Sequence, residues 1–213
     1  MHRSGHSKIV MRELFGAAPK TLRAGTVMMD ANATHFAYCS TDHIVIRSFE
    51  KPHQVSVFRG HQKPTALRLC PSAPLVASGD QDGTVKVWNL EDPSIIRYEG
   101  QKFSGKISDI SWSADGQRLL ICGKGRSVHA LVIMADGGSM VGELKGFTAE
   151  VVSGDFRPSR PFKMVCASED RQVGLWKGPP IKEEWRALAT DVLVRMTGSH
   201  LMASFSSLQA WVR

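Results

Sequence analysis

The chain has 213 residues, enough for one large domain or two small ones. Hydrophobic residues make up 42% and charged residues 22%, which excludes a wholly disordered chain. No apolar run approaches the roughly 20 residues that span a bilayer, and the N-terminus lacks the apolar core of a secretory signal. The four cysteines, at positions 39, 70, 122 and 166, lie far apart beside apolar runs, which indicates buried free thiols. We therefore expect a cytoplasmic protein with no membrane partner.

The net charge of +7 is concentrated at the ends of the chain. Residues 1–24 carry five basic and one acidic side chain (+4), and residues 186–213 carry three and one (+2). The middle, residues 25–185, has 19 basic and 18 acidic side chains (+1). A surface that follows a phosphate backbone needs its basic residues along the folded body, so this distribution disfavours nucleic acid as a partner.

Short apolar runs separated by Gly, Pro, Asp and Ser predict strands joined by tight turns. In chain order the runs are HFAYC…IVIRSF (35–49), TALRL (65–69), PLVAS (74–78), TVKVW (84–88), SIIRYEG (94–100), KISDISW (106–112), RLLICG (118–123), HALVIM (129–134), SMVGELKG (139–146), EVVSGDF (150–156), FKMVCAS (162–168) and QVGLW (172–176). They recur with a period near 44 residues. Four strands per period of this length are typical of a β-propeller blade.

The stretch from Gly60-His61 to VASGDQDGTVKVWN (76–89) resembles the WD repeat. That resemblance implies a hydrogen-bonded chain inside the blade, formed by His61, Ser78, Asp82 and Trp88. The chemistry is consistent, because a turn carboxylate can accept from an imidazole, and a hydroxyl can bridge that imidazole to an indole N–H.

A second copy of the motif lies 88 residues further on, where Asp170 and Trp176 repeat Asp82 and Trp88. In this copy Cys166 replaces the hydroxyl and Phe147 stands where the histidine is expected. The spacing identifies the two aspartates as turn residues of separate blades rather than a catalytic pair of carboxylates.

Four longer stretches resemble the N-terminal part of the actin-interacting protein 1 family. They are FGAAPKTLRAG (15–25), GKISDISWSADGQRLLICGKGR (105–126), SMVGELKGF (139–147) and SRPFKMVCASEDRQVGLWKGPP (159–180). The resemblance covers about residues 15–185 and implies a non-enzymatic protein of the actin cytoskeleton. The partners that it implies are actin filaments and cofilin, with filament disassembly as the outcome.

Residue by residue, the resemblance makes Glu169, Asp170 and Lys182 candidate contacts for actin or cofilin. Lys124 belongs to the same candidate surface, although an acidic residue is usual at its position. Glu183 stands where an aromatic residue is usual.

The predicted fold is all-β: an incomplete WD-repeat β-propeller of about four blades plus a degenerate fifth. Its parts are a basic segment at 1–24 that enters the first blade near its end, blades over 25–185 and a divergent tail at 186–213. The tail is either a shortened fifth blade ending near Trp211 or a sequence foreign to the family. Because the family has seven-bladed propellers, the remaining blades are either supplied by a partner or absent, and we expect the four or five blades alone not to close a ring.

No catalytic, cofactor or metal motif is recognised. The histidines lack ligand spacing, GKGRS (123–127) lacks the first glycine of a phosphate loop, and no GxSxG frames a serine nucleophile. Two alternatives to actin binding stay open. One is a scaffold in another complex, whose basic N-terminus (Arg3, Lys8, Arg12, Lys20, Arg23) contacts acidic partners or RNA, and the other is a remnant without independent function.

Overall fold

The computed structural model describes residues 28–188, and these residues form sixteen β-strands and no helix. The first two groups of four strands are β1 (Met29–Ala31), β2 (His35–Cys39), β3 (Ile44–Ser48), β4 (Val55–Phe58), β5 (Pro64–Leu69), β6 (Leu75–Asp80), β7 (Thr84–Asn89) and β8 (Ile96–Gln101). The next two are β9 (Ile107–Trp112), β10 (Arg118–Gly123), β11 (Ala130–Met134), β12 (Met140–Glu143), β13 (Val151–Phe156), β14 (Lys163–Ser168), β15 (Gln172–Lys177) and β16 (Lys182–Leu188).

Each group of four consecutive strands forms one antiparallel sheet in sequence order, so the described residues contain four blades. The short loops explain this order, because a tight turn can only join antiparallel neighbours. The predicted all-β class and the predicted four-stranded blades are confirmed. In the described part of the chain the sheets follow one another without closing into a ring.

The core is divided into three apolar layers, one between each pair of consecutive blades. Trp88 and Phe58 belong to the layer between blades 1 and 2, while Trp176 and Phe147 belong to the layer between blades 3 and 4. Successive residues of a strand point to opposite faces of its sheet, so blades 2 and 3 contribute side chains to an apolar layer on each side. Burial of apolar surface between neighbours therefore holds the blades together.

The first strands of the blades, β1, β5, β9 and β13, lie beside one another and are cross-linked by polar side chains. Asp109 accepts a 2.8 Å bond from the Ser153 hydroxyl, and Trp112 donates its indole N–H to the Arg68 carbonyl at 3.0 Å. A third bond runs from the Ser111 hydroxyl to Asp155 at 2.6 Å. These bonds satisfy buried polar groups at the blade interfaces and so fix how one blade sits on the next.

The last strand of blade 4, β16, was not predicted. Its sequence, KEEWRAL, has charged residues at successive positions and no alternation, because it is an exposed outer strand with only one partner. It continues to Leu188, past residue 185, where the blades were expected to end. The basic segment 1–24 and the fifth blade predicted after β16 lie outside the described residues.

Candidate interaction surface

The polar network of blade 2 joins four buried side chains, those of His61, Ser78, Asp80 and Trp88. His61 lies 2.9 Å from the Ser78 hydroxyl through Nε2, and Trp88 donates its indole N–H to the same hydroxyl at 2.9 Å. The other ring nitrogen, Nδ1, lies 2.8 Å from the carboxylate of Asp80. The phenyl ring of Phe58 stacks on Trp88 at 4.2 Å and closes the network from the neighbouring blade.

This geometry suits a neutral His61. The carboxylate of Asp80 can only accept, so Nδ1 donates to it. In a neutral imidazole Nε2 then accepts from the Ser78 hydroxyl, whose oxygen accepts the Trp88 indole N–H. A neutral imidazole satisfies every member of the network. Burial lowers the pKa of His61 below its usual value, although the bond to Asp80 and its charge act in the opposite direction. Its buried members bond one another, so the network orients the strands of the blade.

The carboxylate in the network is Asp80, not the predicted Asp82. Ser78 and Asp80 are two residues apart on β6 and therefore share the face that meets His61. Asp82 lies beyond the strand end in the turn, where it is exposed and donates its backbone N–H to Asp80 at 3.0 Å. The signal that could have identified Asp80 is its position two residues after Ser78, which places both side chains on the same face of a strand.

In blade 4 the network has been replaced by packing. Cys166 occupies the position of Ser78, and the ring of Phe147 lies 5.3 Å from that of Trp176, which is buried. Ser168 stands where blade 2 has Asp80, and its hydroxyl accepts the backbone N–H of Asp170 at 3.2 Å. The blade keeps its tryptophan as a core residue without the histidine and serine that orient Trp88.

Asp170 holds the turn of blade 4 to the loop that enters the blade. Its carboxylate accepts the backbone N–H of Thr148 at 2.7 Å, the Thr148 hydroxyl at 3.1 Å and the N–H of Gln172 at 3.0 Å. Burial alone would raise the pKa of Asp170, but these bonds outweigh it and lower the pKa. Much of the acceptor capacity of Asp170 is therefore used inside the protein.

Lys124, Glu169 and Asp170 lie at the same end of blades 3 and 4. The backbone N–H of Lys124 bonds Lys106 and that of Glu169 bonds Glu150, both at 2.9 Å, and the side chains of Lys106 and Glu150 form an ion pair at 2.9 Å. The buried Glu150 carboxylate also accepts from the Ser108 hydroxyl. The side chains of Lys124 and Glu169 are exposed, so both are available to a partner at this end.

Lys182 lies at the opposite end of blade 4. In the antiparallel pair of β15 and β16, Leu188 is opposite Gln172, next to Asp170, whereas Lys182 is opposite Lys177. The length of the strand, about 3.3 Å per residue, separates the two ends by roughly 17 Å. The four candidates therefore form two surfaces, and the structure brings Lys182 together with Arg160, Phe162 and Lys177, which sequence reasoning did not select.

Glu183, where an aromatic residue was expected from the resemblance, forms an ion pair within its own strand. Its two carboxylate oxygens accept from Nε and Nη2 of Arg186 at 2.8 and 2.7 Å. Arg186 in turn donates to the Lys145 carbonyl at 2.6 Å and lies over the Phe147 ring. Glu183 thus stabilises the outer edge of blade 4.

Residues 28–188 contain no group of three or more His, Cys, Asp or Glu side chains arranged to hold a metal ion. Burial raises the pKa of the Cys122 thiol well above its usual value, and contact with Cys166 raises it further. A nucleophilic cysteine needs the thiolate form near neutral pH, so this environment disfavours thiol chemistry there. Within the same residues, no helix is long and apolar enough to span a bilayer.

The fold and one family model agree on the class of protein. The model of the WD domain, G-beta repeat, matches residues 52–89, which include His61, Ser78, Asp80 and Trp88. A chain in the crystal structure of a mitotic checkpoint complex has a similar fold, with a TM-score of 0.67 and 15% identity over 76% of this chain and 50% of that one. Residues 52–89 therefore match a WD repeat, and the described residues form blades of the β-propeller fold.

The particular proteins that it resembles are longer. The chain is 34% identical to the 66 kDa stress protein of Physarum polycephalum over 81% of its length, and 33% identical to actin-interacting protein 1 of Drosophila melanogaster over 80%. It is 32% identical to WD repeat-containing protein 1 of Xenopus tropicalis over 81%. In each case the chain spans 29% of the relative's length.

Proposed function

We propose that this protein is a non-catalytic interaction protein of the actin cytoskeleton, which binds actin filaments together with cofilin and promotes filament disassembly. The observation that carries the proposal is the similarity to proteins named actin-interacting protein 1 over about four-fifths of the chain. The cytoplasm is the location that follows from such partners.

The contact surface in this proposal is the end of blades 3 and 4 that carries Lys124 and Glu169. Both side chains are exposed, and the backbone beneath them is held by the Lys106–Glu150 ion pair and by Asp170. A backbone that is already held lowers the entropy cost of binding, because only the contact side chains have to be ordered on association. Asp170 supports this surface through its bonds to Thr148 rather than through direct contact.

The test is co-sedimentation of the protein with actin filaments, with and without cofilin. We expect the protein to pellet with cofilin-decorated filaments, and the double variant Lys124→Glu/Glu169→Lys to weaken this binding by about fivefold or more, which corresponds to roughly 1 kcal/mol. The double variant keeps the net charge unchanged. Lys51→Glu, an exposed change in blade 1, is the control and should pellet like the parent protein. Failure of the parent protein to pellet under either condition would reject the proposal.

A further inference from the structure

Two loops of blade 4 meet at the end of the blade opposite to Glu169. The loop between β13 and β14 contains Arg160 and Phe162, and the loop between β15 and β16 contains Gly178, Pro179 and Pro180. The backbone N–H of Gly178 donates to the Phe162 carbonyl at 3.3 Å, which ties the loops together. They meet because both connect strands at the same end of one meander.

Between these loops lies an open groove of about 740 Å³. Its lining includes Arg160, Phe162, Lys177, Pro179, Pro180 and Lys182. The prolines and the aromatic ring make the groove apolar on one side. Because the backbone of the prolines is restricted, the groove is largely preformed. We call it the basic groove.

The charges in the basic groove are incompletely neutralised. Lys177 pairs with Glu184 at 3.3 Å, but the same carboxylate pairs with Lys163 at 2.8 Å. Among residues 28–188, no carboxylate lies within ion-pair distance of Arg160 or Lys182. None of the lining residues is acidic. The groove therefore offers two exposed cations, and a third that shares its partner, beside an apolar wall.

Phe162 is held in place by two guanidinium groups. Those of Arg118 and Arg160 lie over its ring at 4.8 and 5.3 Å from the centroid. Arg118 is itself paired with Asp115 at 3.0 Å, so the ring is fixed from the blade 3 side. This arrangement keeps the Arg160 charge at the groove and also covers part of the aromatic face.

We propose that the basic groove binds an acidic peptide segment of a partner protein. Carboxylates of the segment would pair with Arg160 and Lys182, and an apolar side chain between them would pack against Phe162 and Pro180. Arg160 is suited to this role because a guanidinium can bind a carboxylate through two parallel hydrogen bonds.

A nucleic acid or an anionic membrane fits the basic groove less well. Single-stranded bases bind on open aromatic faces, whereas the Phe162 ring carries the guanidinium groups of Arg118 and Arg160. Both larger polyanions also need an extended basic surface, but Glu183 and Glu184 follow Lys182 directly on β16. A short acidic segment makes the local contacts and avoids this repulsion.

The inference does not depend on the proposed actin function, and its test contains neither actin nor cofilin. The probe is a short fluorescein-labelled peptide of glutamates with a central leucine, and its binding to the full chain is measured by fluorescence anisotropy at low salt. The double variant Arg160→Gln/Lys182→Gln should weaken binding by about tenfold or more, as expected for the loss of two charge-assisted contacts. Arg59→Gln/Lys51→Gln removes the same charge from exposed positions elsewhere on the surface and should bind the probe like the parent protein.

Four results would overturn the inference. The first three are no peptide binding by the parent protein, an equal loss of binding in both double variants, and unchanged peptide binding in Arg160→Gln/Lys182→Gln. The fourth is binding of poly(U) RNA or phosphatidylserine vesicles that depends on Arg160 and Lys182 more strongly than peptide binding does. Far-ultraviolet circular dichroism checks that the variants remain folded. Both substituted side chains are exposed and support no hydrogen bond within residues 28–188, so we expect them to fold normally.

Discussion

Trp88 and Ser78 are joined by a 2.9 Å hydrogen bond in which the indole N–H donates to a hydroxyl with no exposed surface. The same hydroxyl is the partner of His61 Nε2, so removing it leaves two buried groups unsatisfied. We expect Ser78→Ala to lower the free energy of unfolding by about 1–3 kcal/mol. Chemical denaturation measures the change. Ser104→Ala removes an exposed hydroxyl and should be close to neutral; an equal effect in the two variants would contradict the role of the network.

The network also predicts how stability depends on pH. Burial lowers the pKa of His61 in the folded protein, so the unfolded chain takes up a proton at about pH 6.5 while the folded one does not. The unfolded state therefore binds more protons between the two pKa values, and the free energy of unfolding falls as the pH decreases below about 6.5.

Denaturation curves at a series of pH values between neutral and mildly acidic measure this slope. His61→Gln removes the group and should be less stable at neutral pH but flatter across this range. The carboxylates with lowered pKa, such as Asp170, lose their contribution only at lower pH, near and below their usual value of 3.8. A slope as steep in His61→Gln as in the parent protein would show that another group is responsible.

Asp170 and Glu169 are neighbours with different roles, and substitution of each should have a different effect on stability. Asp170→Ala removes the acceptor of two backbone N–H groups and should cost about 1–2 kcal/mol, because water replaces only part of what a carboxylate provides. Glu169→Ala removes an exposed side chain and should change stability by less than about 0.5 kcal/mol. Thermal unfolding of both variants checks the difference, and the reverse order of stability would be inconsistent with these roles.

Gly154 on β13 faces the thiols of two blades. A Cβ atom at this position would lie 2.6 Å from Sγ of Cys122 and 3.0 Å from that of Cys166, both fully buried. We expect Gly154→Ala to destabilise the protein by about 1–3 kcal/mol, the usual cost of overpacking a core. Gly137 is exposed, and a Cβ atom there would have no neighbour within 4 Å, so Gly137→Ala is the matched control and should be tolerated. Equal melting temperatures of the two variants would contradict tight packing between blades 3 and 4.

Much of the fold was predictable from the alternation of apolar residues and the turns between them. Runs such as TVKVW and RLLICG are strands because their buried faces are continuous and β-branched or aliphatic. β16 escaped prediction because an outer strand needs no apolar face. The resemblance to the WD repeat led to Asp82, although Asp80 shares a face with Ser78 and forms the bond to His61.

The candidate surface was less predictable than the fold. Resemblance places Lys182 and Asp170 in one set, but the direction of β16 puts them at opposite ends of a blade. RPF and GPP both belong to the segment at 159–180 that resembles the family, but only the meander of blade 4 shows that they line one groove. Motifs identify residues, whereas the order and direction of strands decide which of them can contact the same partner.

The hydrogen bonds between the first strands of neighbouring blades have a consequence for synthesis. Those that join Asp30 to Leu69, Asp109 to Ser153 and Ser111 to Phe156 connect residues only 39 to 45 positions apart. A blade emerging from a ribosome therefore finds its partner in the blade made just before it. Because the residues in contact are close in sequence, folding can proceed one blade at a time, in the order in which the blades are translated.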